Sequence, residues 1–164
     1  MKQTDFLKET NPVVILEVKA FGTMRIELFP EVAPNTVKHM MALIDNAYFD
    51  GLEFHRIIKG FMIQGGASKE PVDTIRGEFD ANRSKNLLSH GRGVISMART
   101  SDPNSASSQF FIVHQDAPHL DGQYAGFGCV TEGFDVLDAI ATLQTSSSDY
   151  PVEKVVIDAM RIEK

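Results

Sequence analysis

The chain is poor in the residues that build covalent cross-links and metal centres. It has one cysteine, Cys129, and no tryptophan among its 164 residues. A single cysteine excludes an internal disulfide and a cysteine-based metal site. The five histidines show neither the HxH nor the HExxH spacing of metal ligands. We therefore expect a protein that holds no metal.

Long apolar runs and blocks of positive charge are also missing. No apolar run approaches the roughly 20 residues of a membrane span. The start, MKQTDFLKETNP, lacks the apolar stretch of a secretory signal. The formal net charge of −6 argues against binding to nucleic acid or to an anionic membrane. We expect a cytoplasmic protein, monomeric, that contacts neither membranes nor nucleic acid.

Motifs for nucleotide binding and for serine hydrolysis are absent as well. The sequence has no P-loop, no dinucleotide fingerprint and no G-x-S-x-G elbow. Ser105, Ser107 and Ser108 fall in one loop, with no base assigned to them. A small hydrolase that uses His55 and a loop serine is therefore poorly supported, and we expect no cofactor.

The residue pattern predicts a mainly β domain. Residues 1–12 are expected to form a loose arm, and residues 13–164 a single domain. Two segments have helical spacing of apolar residues, 35–44 and 134–141. Eight segments have strand patterns: 13–18, 24–28, 54–58, 61–64, 94–98, 109–113, 127–131 and 155–162. The connections are mostly too short for crossover helices, so we expect antiparallel pairing, and eight strands can close into a barrel.

The stretch Phe54 to Gly66, FHRIIKGFMIQGG, combines an arginine and a glutamine with large apolar residues. It reads as two strands joined by a turn at residues 59–60. Strict alternation puts Phe54, Arg56 and Ile58 on one face and His55 toward the interior. A charge in a run this apolar needs a partner or water. The residues alone leave a salt bridge, a surface position and a functional site all open for Arg56.

This stretch, followed by MAR…SASSQFFI and then HLDG, resembles the cyclophilin family of peptidyl-prolyl cis-trans isomerases. The resemblance extends from Val13 to the last strand. The short middle loop and the lack of further cysteines resemble the compact bacterial type. The resemblance implies a closed eight-stranded antiparallel β-barrel capped by two α-helices. It also implies the substrate, an X-Pro peptide bond in peptides and folding proteins.

The resemblance also implies roles for individual residues. Arg56 falls on the catalytic arginine of the family, and His55 on a histidine that we interpret as structural support. Gln64 falls on a glutamine that contacts the substrate backbone, and Gln109 on a glutamine of the same groove. Two further groups complete the predicted site: a backbone-binding pair, Ala98 and Arg99, and an apolar pocket for the proline ring, formed by Phe61, Met62, Phe111 and Leu120.

Three positions depart from the best-known family pattern. His119 stands where many eukaryotic members carry a tryptophan, Tyr124 where they carry a histidine, and Arg99 where asparagine is common. Without the indole donor and its area, we expect weak binding of cyclosporin. The arginine and the proline pocket remain, so isomerase activity is the expectation. The alternative is a proline-peptide adaptor or chaperone-like holder with little turnover, which could use the same groove.

Overall fold

The computed structural model describes residues 1–163, which form one antiparallel sheet with two α-helices. The helices are α1 (Pro34–Asp45) and α2 (Phe134–Ala141). The strands are β1 (Val13–Val18), β2 (Gly22–Leu28), β3 (Phe54–Ile58), β4 (Met62–Gly65), β5 (Val94–Met97), β6 (Phe110–Val113), β7 (Gly126–Glu132) and β8 (Ile157–Ile162). Short 3₁₀ turns lie at Gln3–Phe6, Asp80–Asn82 and Pro118–Leu120. No helix within the described residues is long and apolar enough to cross a membrane.

The predicted helices and strands are confirmed, with boundaries that shift by at most two residues. β1 and β2 form the expected hairpin, in which Leu16 lies opposite Met24. Helix α1 begins at Pro34, whose missing N–H suits the first helical turn. The spacing of apolar and polar residues therefore predicted which segments form strands and which form helices.

The predicted closure of the barrel is wrong. The strand order is β3-β4-β6-β5-β7-β2-β1-β8, so the sheet is an open, curled half-barrel with β3 and β8 at its ends. The segment before β3 does meet the first residue of β8. The Gly51 N–H donates to the Ile157 carbonyl at 2.8 Å, and the Ile157 N–H donates to the Leu52 carbonyl at 2.7 Å. These few bonds limit the exposed edge without forming a ladder between β3 and β8.

The interior of the curled sheet is filled by apolar side chains. Leu16, Met24 and Phe110 are fully buried. Helix α1 packs against β8, and helix α2 packs mainly against β2. Cys129 of β7 is only 2% exposed. Burial, with a smaller contribution from Glu27, raises the pKa of its thiol to about 12.

The N-terminal arm is packed rather than loose, contrary to expectation. Phe6 is 7% exposed, and its ring centroid lies 5.7 Å from that of Phe29. The terminal amino group of Met1 donates to the Leu87 carbonyl at 2.6 Å. One aromatic side chain thus anchors a segment whose polar composition predicted a free arm.

A buried glutamate connects the long loop of residues 67–92 to the start of α1. The N-cap residue Ala33 offers no side-chain acceptor. Glu78, 7% exposed, instead accepts hydrogen bonds from the Thr36 backbone N–H and the Thr36 hydroxyl, both at 2.7 Å. A carboxylate here also faces the positive end of the helix dipole. The loop therefore supplies the helix cap from outside the helix.

Candidate active site

A groove of about 530 Å³ lies where strands β3, β4 and β6 meet two loops. The structure brings together ten of the eleven residues predicted for the site. The lining residues are Arg56, Phe61, Met62, Gln64, Ala98, Arg99, Phe111, His119, Leu120, Gln123 and Tyr124. The remaining predicted residue, Gln109, lies in a smaller adjoining pocket of about 340 Å³ that also contains Gln64, Ala98 and Arg99.

A β-bulge in β3 turns Arg56 toward this groove. Phe54 pairs with Gly65 and Arg56 with Gln64, so His55 is an extra residue relative to β4. Phe54 and Ile57 are fully buried, whereas Arg56 is exposed. The predicted shared face of Phe54 and Arg56 is therefore wrong, because the bulge breaks strict alternation.

His55, predicted for the interior, is half-buried at the bulge. Its Nδ1 is buried and has no hydrogen-bond partner among residues 1–163. Burial lowers the pKa of His55, and the neighbouring Glu53 opposes this shift. The ring is thus favoured in its neutral form beside Arg56.

Arg56 is oriented by a chain of neutral amides. Its Nη1 donates to Gln64 Oε1 at 3.3 Å, and Gln64 Nε2 donates to Gln109 Oε1 at 2.9 Å. Within the described part of the chain, no carboxylate lies within 4.0 Å of the Arg56 guanidinium. The charge of Arg56 therefore faces the groove without an ion-pair partner.

The bottom of the groove is apolar and its rim is aromatic. Met62, Phe111 and Leu120 are 1%, 5% and 6% exposed. Phe61 is half-buried at the rim, with its ring centroid 5.4 Å from that of His119. The Tyr124 ring meets Phe111 edge-on at 5.7 Å. This combination suits a small apolar ring held beside a polar group.

Arg99 forms a fixed part of the wall. Its guanidinium carbon lies 4.8 Å from the Phe79 ring centroid and 4.6 Å from that of Tyr124. It donates to the backbone carbonyls of Thr100 at 2.9 Å and Gln123 at 2.6 Å. Stacking and paired hydrogen bonds hold a planar guanidinium in one orientation. The predicted backbone-binding pair Ala98–Arg99 is therefore rigidly placed at the side of the groove.

A buried histidine that the sequence did not single out supports the floor. The ring of His90 stacks on Phe111 with centroids 6.2 Å apart. Its Nδ1 lies 3.1 Å from Asp121 Oδ1 and its Nε2 lies 2.9 Å from Ser96 Oγ. Burial lowers the pKa of His90 despite the opposing effect of Asp121. The neutral ring can donate from Nδ1 to Asp121 and accept from the Ser96 hydroxyl at Nε2.

Neither a metal-binding cluster nor a pairing of His55 with Ser105 or Ser108 is found among the described residues. No group of three or more His, Cys, Asp or Glu side chains within residues 1–163 could hold a metal ion. Ser105 Oγ donates to the Asp102 carbonyl and Ser108 Oγ to the Gly66 carbonyl. Neither serine is paired with His55, so the hydrolase alternative has no nucleophile–base pair.

Known proteins match this chain over nearly its whole length. A family model described as cyclophilin type peptidyl-prolyl cis-trans isomerase/CLD matches residues 13–162. A peptidyl-prolyl cis-trans isomerase of Arabidopsis thaliana is 38% identical, over 86% of this chain and 90% of its own. One of Streptomyces antibioticus is 40% identical, over 86% of this chain and 93% of its own.

Solved structures agree with the sequence matches. A cyclophilin-type isomerase of Cryptosporidium parvum is 28% identical, with a TM-score of 0.85 over 94% of this chain and 98% of its own. A second structure of that protein, determined in the presence of the dipeptide Ala-Pro, is 30% identical with a TM-score of 0.83, over 93% of this chain and 99% of its own. The chain therefore belongs to the cyclophilin type peptidyl-prolyl cis-trans isomerases.

Proposed function

We propose that this isomerase accelerates rotation about X-Pro bonds in peptides and folding proteins by directing the Arg56 guanidinium at the prolyl nitrogen. One observation carries the proposal. Arg56 faces an apolar groove, is hydrogen-bonded to the neutral Gln64, and has no carboxylate within 4.0 Å in the described part of the chain.

Rotation about the X-Pro bond can be catalysed by a positive charge placed near the prolyl nitrogen. Resonance gives the C–N bond double-bond character and a rotation barrier of about 18–20 kcal/mol. In the twisted state the resonance is lost and a lone pair returns to the prolyl nitrogen. A guanidinium aimed at that nitrogen stabilises the twisted amide more than the planar one, which is the condition for catalysis. Arginine suits this role because it stays charged and has fixed donor geometry.

The remaining groove residues would bind the two sides of the X-Pro bond separately. Met62, Phe111 and Leu120 at the bottom of the groove, with Phe61 at its rim, would hold the proline ring. Gln64, Gln109 and the backbone at Ala98 and Arg99 would bind the preceding peptide, with His119 and Tyr124 at the rim. One side of the X-Pro bond can then rotate while the other is fixed. The Cryptosporidium parvum structure determined with Ala-Pro concerns a ligand of this kind.

NMR exchange spectroscopy on an Ala-Ala-Pro-Phe peptide tests the proposal directly. Wild-type protein should raise the cis–trans exchange rate at catalytic concentrations. Arg56→Ala should lower kcat by about 10²-fold to 10³-fold, the usual loss on removing one preorganised transition-state donor. Arg56→Lys should recover part of the rate, since it restores charge without the planar fork.

Three outcomes separate the alternatives. Loss of exchange in a folded Arg56→Ala variant supports the assigned role. Wild-type rates in that variant would show that Arg56 is not the electrostatic element. Peptide binding by the wild type without faster exchange would identify a peptide-binding module instead. Acceleration of a proline-limited refolding reaction would extend the activity to folding proteins.

A further inference from the structure

We propose that His114 is a positioning residue that holds the groove wall carrying Phe61 and Met62, and that Asp138 of helix α2 acts through it. The inference rests on the proposed function, because it assigns His114 to the wall of the proposed proline pocket. It arises from a cluster of charged and titratable groups outside the groove lining: Arg92, His114 and Asp138.

His114 bonds to both sides of the turn between β3 and β4. The Gly60 N–H donates to His114 Nδ1 at 2.9 Å. The backbone N–H of His114 donates to the Phe61 carbonyl at 2.8 Å. The His114 side chain is only 7% exposed. One residue directly after β6 therefore bonds to the backbone N–H of Gly60 and to the backbone carbonyl of Phe61.

The contacts also define which nitrogen of His114 carries the proton. Nδ1 accepts from the Gly60 N–H, so it must be unprotonated, and the proton of the neutral ring lies on Nε2. Nε2 then donates to Asp138 Oδ1 at 3.0 Å. The second partner of a histidine sets its tautomer in this way. Asp138 thus selects the form of His114 that can hold Gly60.

Asp138 is itself held by Arg92. Arg92 donates from Nη1 and Nη2 to the two Asp138 oxygens at 2.7 and 2.8 Å, and from Nη1 to the His114 carbonyl at 3.0 Å. Its guanidinium carbon lies 5.0 Å from the Phe134 ring centroid. A bidentate pair of this geometry fixes the carboxylate in direction as well as in charge. The network therefore runs from α2 to the turn below Phe61.

The turn needs this support because of its own sequence. Gly60 has φ +80°, a region open to glycine, and glycine has the greatest backbone freedom of any residue. Phe61 follows immediately and is half-buried at the groove rim against His119. If Gly60 is released, the Phe61 ring can shift and the apolar floor widens. Arg56 lies on β3 outside the turn, so substrate binding should suffer while the chemical step is kept.

Two substitutions of His114 separate its two hydrogen bonds. In His114→Asn the side-chain oxygen can replace Nδ1 as acceptor for Gly60, but it loses Asp138. In His114→Gln the amide nitrogen can replace Nε2 as donor to Asp138, but Gly60 loses its acceptor. Asp138→Asn removes the carboxylate, and Asp135→Asn, at an exposed position on the same helix, is the matched charge control.

The expected pattern is a split between KM and kcat for the Ala-Ala-Pro-Phe peptide. His114→Gln should raise KM about threefold to tenfold with kcat within twofold, the range expected for one net hydrogen bond. His114→Asn should recover part of that loss. Asp138→Asn should raise KM less than His114→Gln, and Asp135→Asn should match the wild type. Amide hydrogen exchange at Gly60 should be fastest in His114→Gln.

An unchanged KM and unchanged Gly60 exchange in His114→Gln would overturn the proposal. Equal effects of His114→Gln and His114→Asn would do the same, because a purely packing role does not distinguish them. If His114→Gln does not fold, Asp138→Asn decides the question, since the Asp138 side chain is 45% exposed. If the wild type fails to accelerate exchange, the proposed function fails, while Gly60 exchange and the peptide Kd still decide the role of His114.

Discussion

Arg99 lies between two aromatic rings and donates to two backbone carbonyls, so it contributes shape to the groove as well as charge. Lysine keeps the charge, but it cannot stack as a plane and it lacks the two separate nitrogens with which Arg99 donates to the two carbonyls. We expect Arg99→Lys to lower kcat/KM for an X-Pro peptide about threefold to tenfold, the cost of one or two partly solvated contacts. Arg83→Lys, at an exposed position outside the groove lining, is the matched control.

His119 determines how large a ligand the rim can hold. Its ring centroid lies 5.4 Å from that of Phe61, so the position is at the rim of the groove. His119→Trp would add apolar area and an indole N–H donor at this place. We expect wild-type protein to bind cyclosporin weakly and the variant to bind it about tenfold more tightly, as measured by titration calorimetry. Equal Kd values would show that another feature limits binding.

At the residue scale, the sequence predicted the groove lining because its motifs are long and contiguous. The residues it missed act only through the tertiary structure. Gln123 contributes a backbone carbonyl to Arg99, and Phe79 contributes a ring from an otherwise polar loop. His90 supports Phe111 from below. Phe79 is the one phenylalanine in the polar 67–92 segment, which was a signal that it packs against the domain. Nothing in the neighbouring sequence indicates that it stacks on Arg99.

Helix α1 depends on a residue from outside the helix. Glu78 accepts from the Thr36 N–H and hydroxyl, and it is buried. Glu78→Ala would leave these donors without their acceptor, which typically costs about 1–3 kcal/mol. We expect the free energy of unfolding in urea to fall by that amount. Glu70→Ala, in the same loop but exposed, should leave it within about 0.5 kcal/mol.

The β3 bulge is a feature of a strand that the alternation of apolar and polar residues did not predict. Period-two alternation correctly located β3 and its partner β4 but placed Arg56 on the wrong face. A bulge inserts one residue, and each residue after it then points the other way. The sequence FHRII contains no glycine or proline to announce this break. The bulge is a property of the pairing between β3 and β4, and β4 lies outside the strand's own sequence.

At the scale of the whole molecule, the buried histidines predict how stability changes with pH. Burial lowers the pKa of His90 and of His55, whereas an unfolded histidine titrates near about 6.5. Below that pH the unfolded chain binds protons that the folded chain does not. The contribution of these histidines to stability should therefore be greatest above about pH 6.5, fall as the pH drops through that value, and level off below the lowered pKa values.

Urea unfolding at several pH values between 8 and 5.5 measures this slope. Each proton taken up only on unfolding contributes up to about 1.4 kcal/mol per pH unit. His90→Asn should reduce the slope and leave the part due to His55. The comparison uses slopes rather than absolute stabilities, because the substitution also removes the contacts with Ser96 and Asp121. Identical slopes in the two proteins would exclude His90 as a source.

The architecture as a whole was predictable to the level of antiparallel strands and two helices, but not to the closure of the sheet. Whether β3 and β8, the two ends of the sheet, pair depends on contacts between segments about 100 residues apart, which local periodicity does not encode. The prediction of a loose N-terminal arm was wrong for a similar reason. Its polar composition concealed Phe6, which packs against Phe29.

The single cysteine gives the chain a practical property. The thiolate is the form of cysteine that attacks a maleimide. Cys129 is only 2% exposed, and burial raises the pKa of its thiol to about 12. Folded wild-type protein should stay unlabelled by a maleimide dye at pH 7.5, whereas Ser101→Cys, at an exposed loop position, should take up one dye. Mass spectrometry checks both results. The native thiol can then remain in place while a fluorophore in the loop after Arg99 follows peptide occupancy in real time.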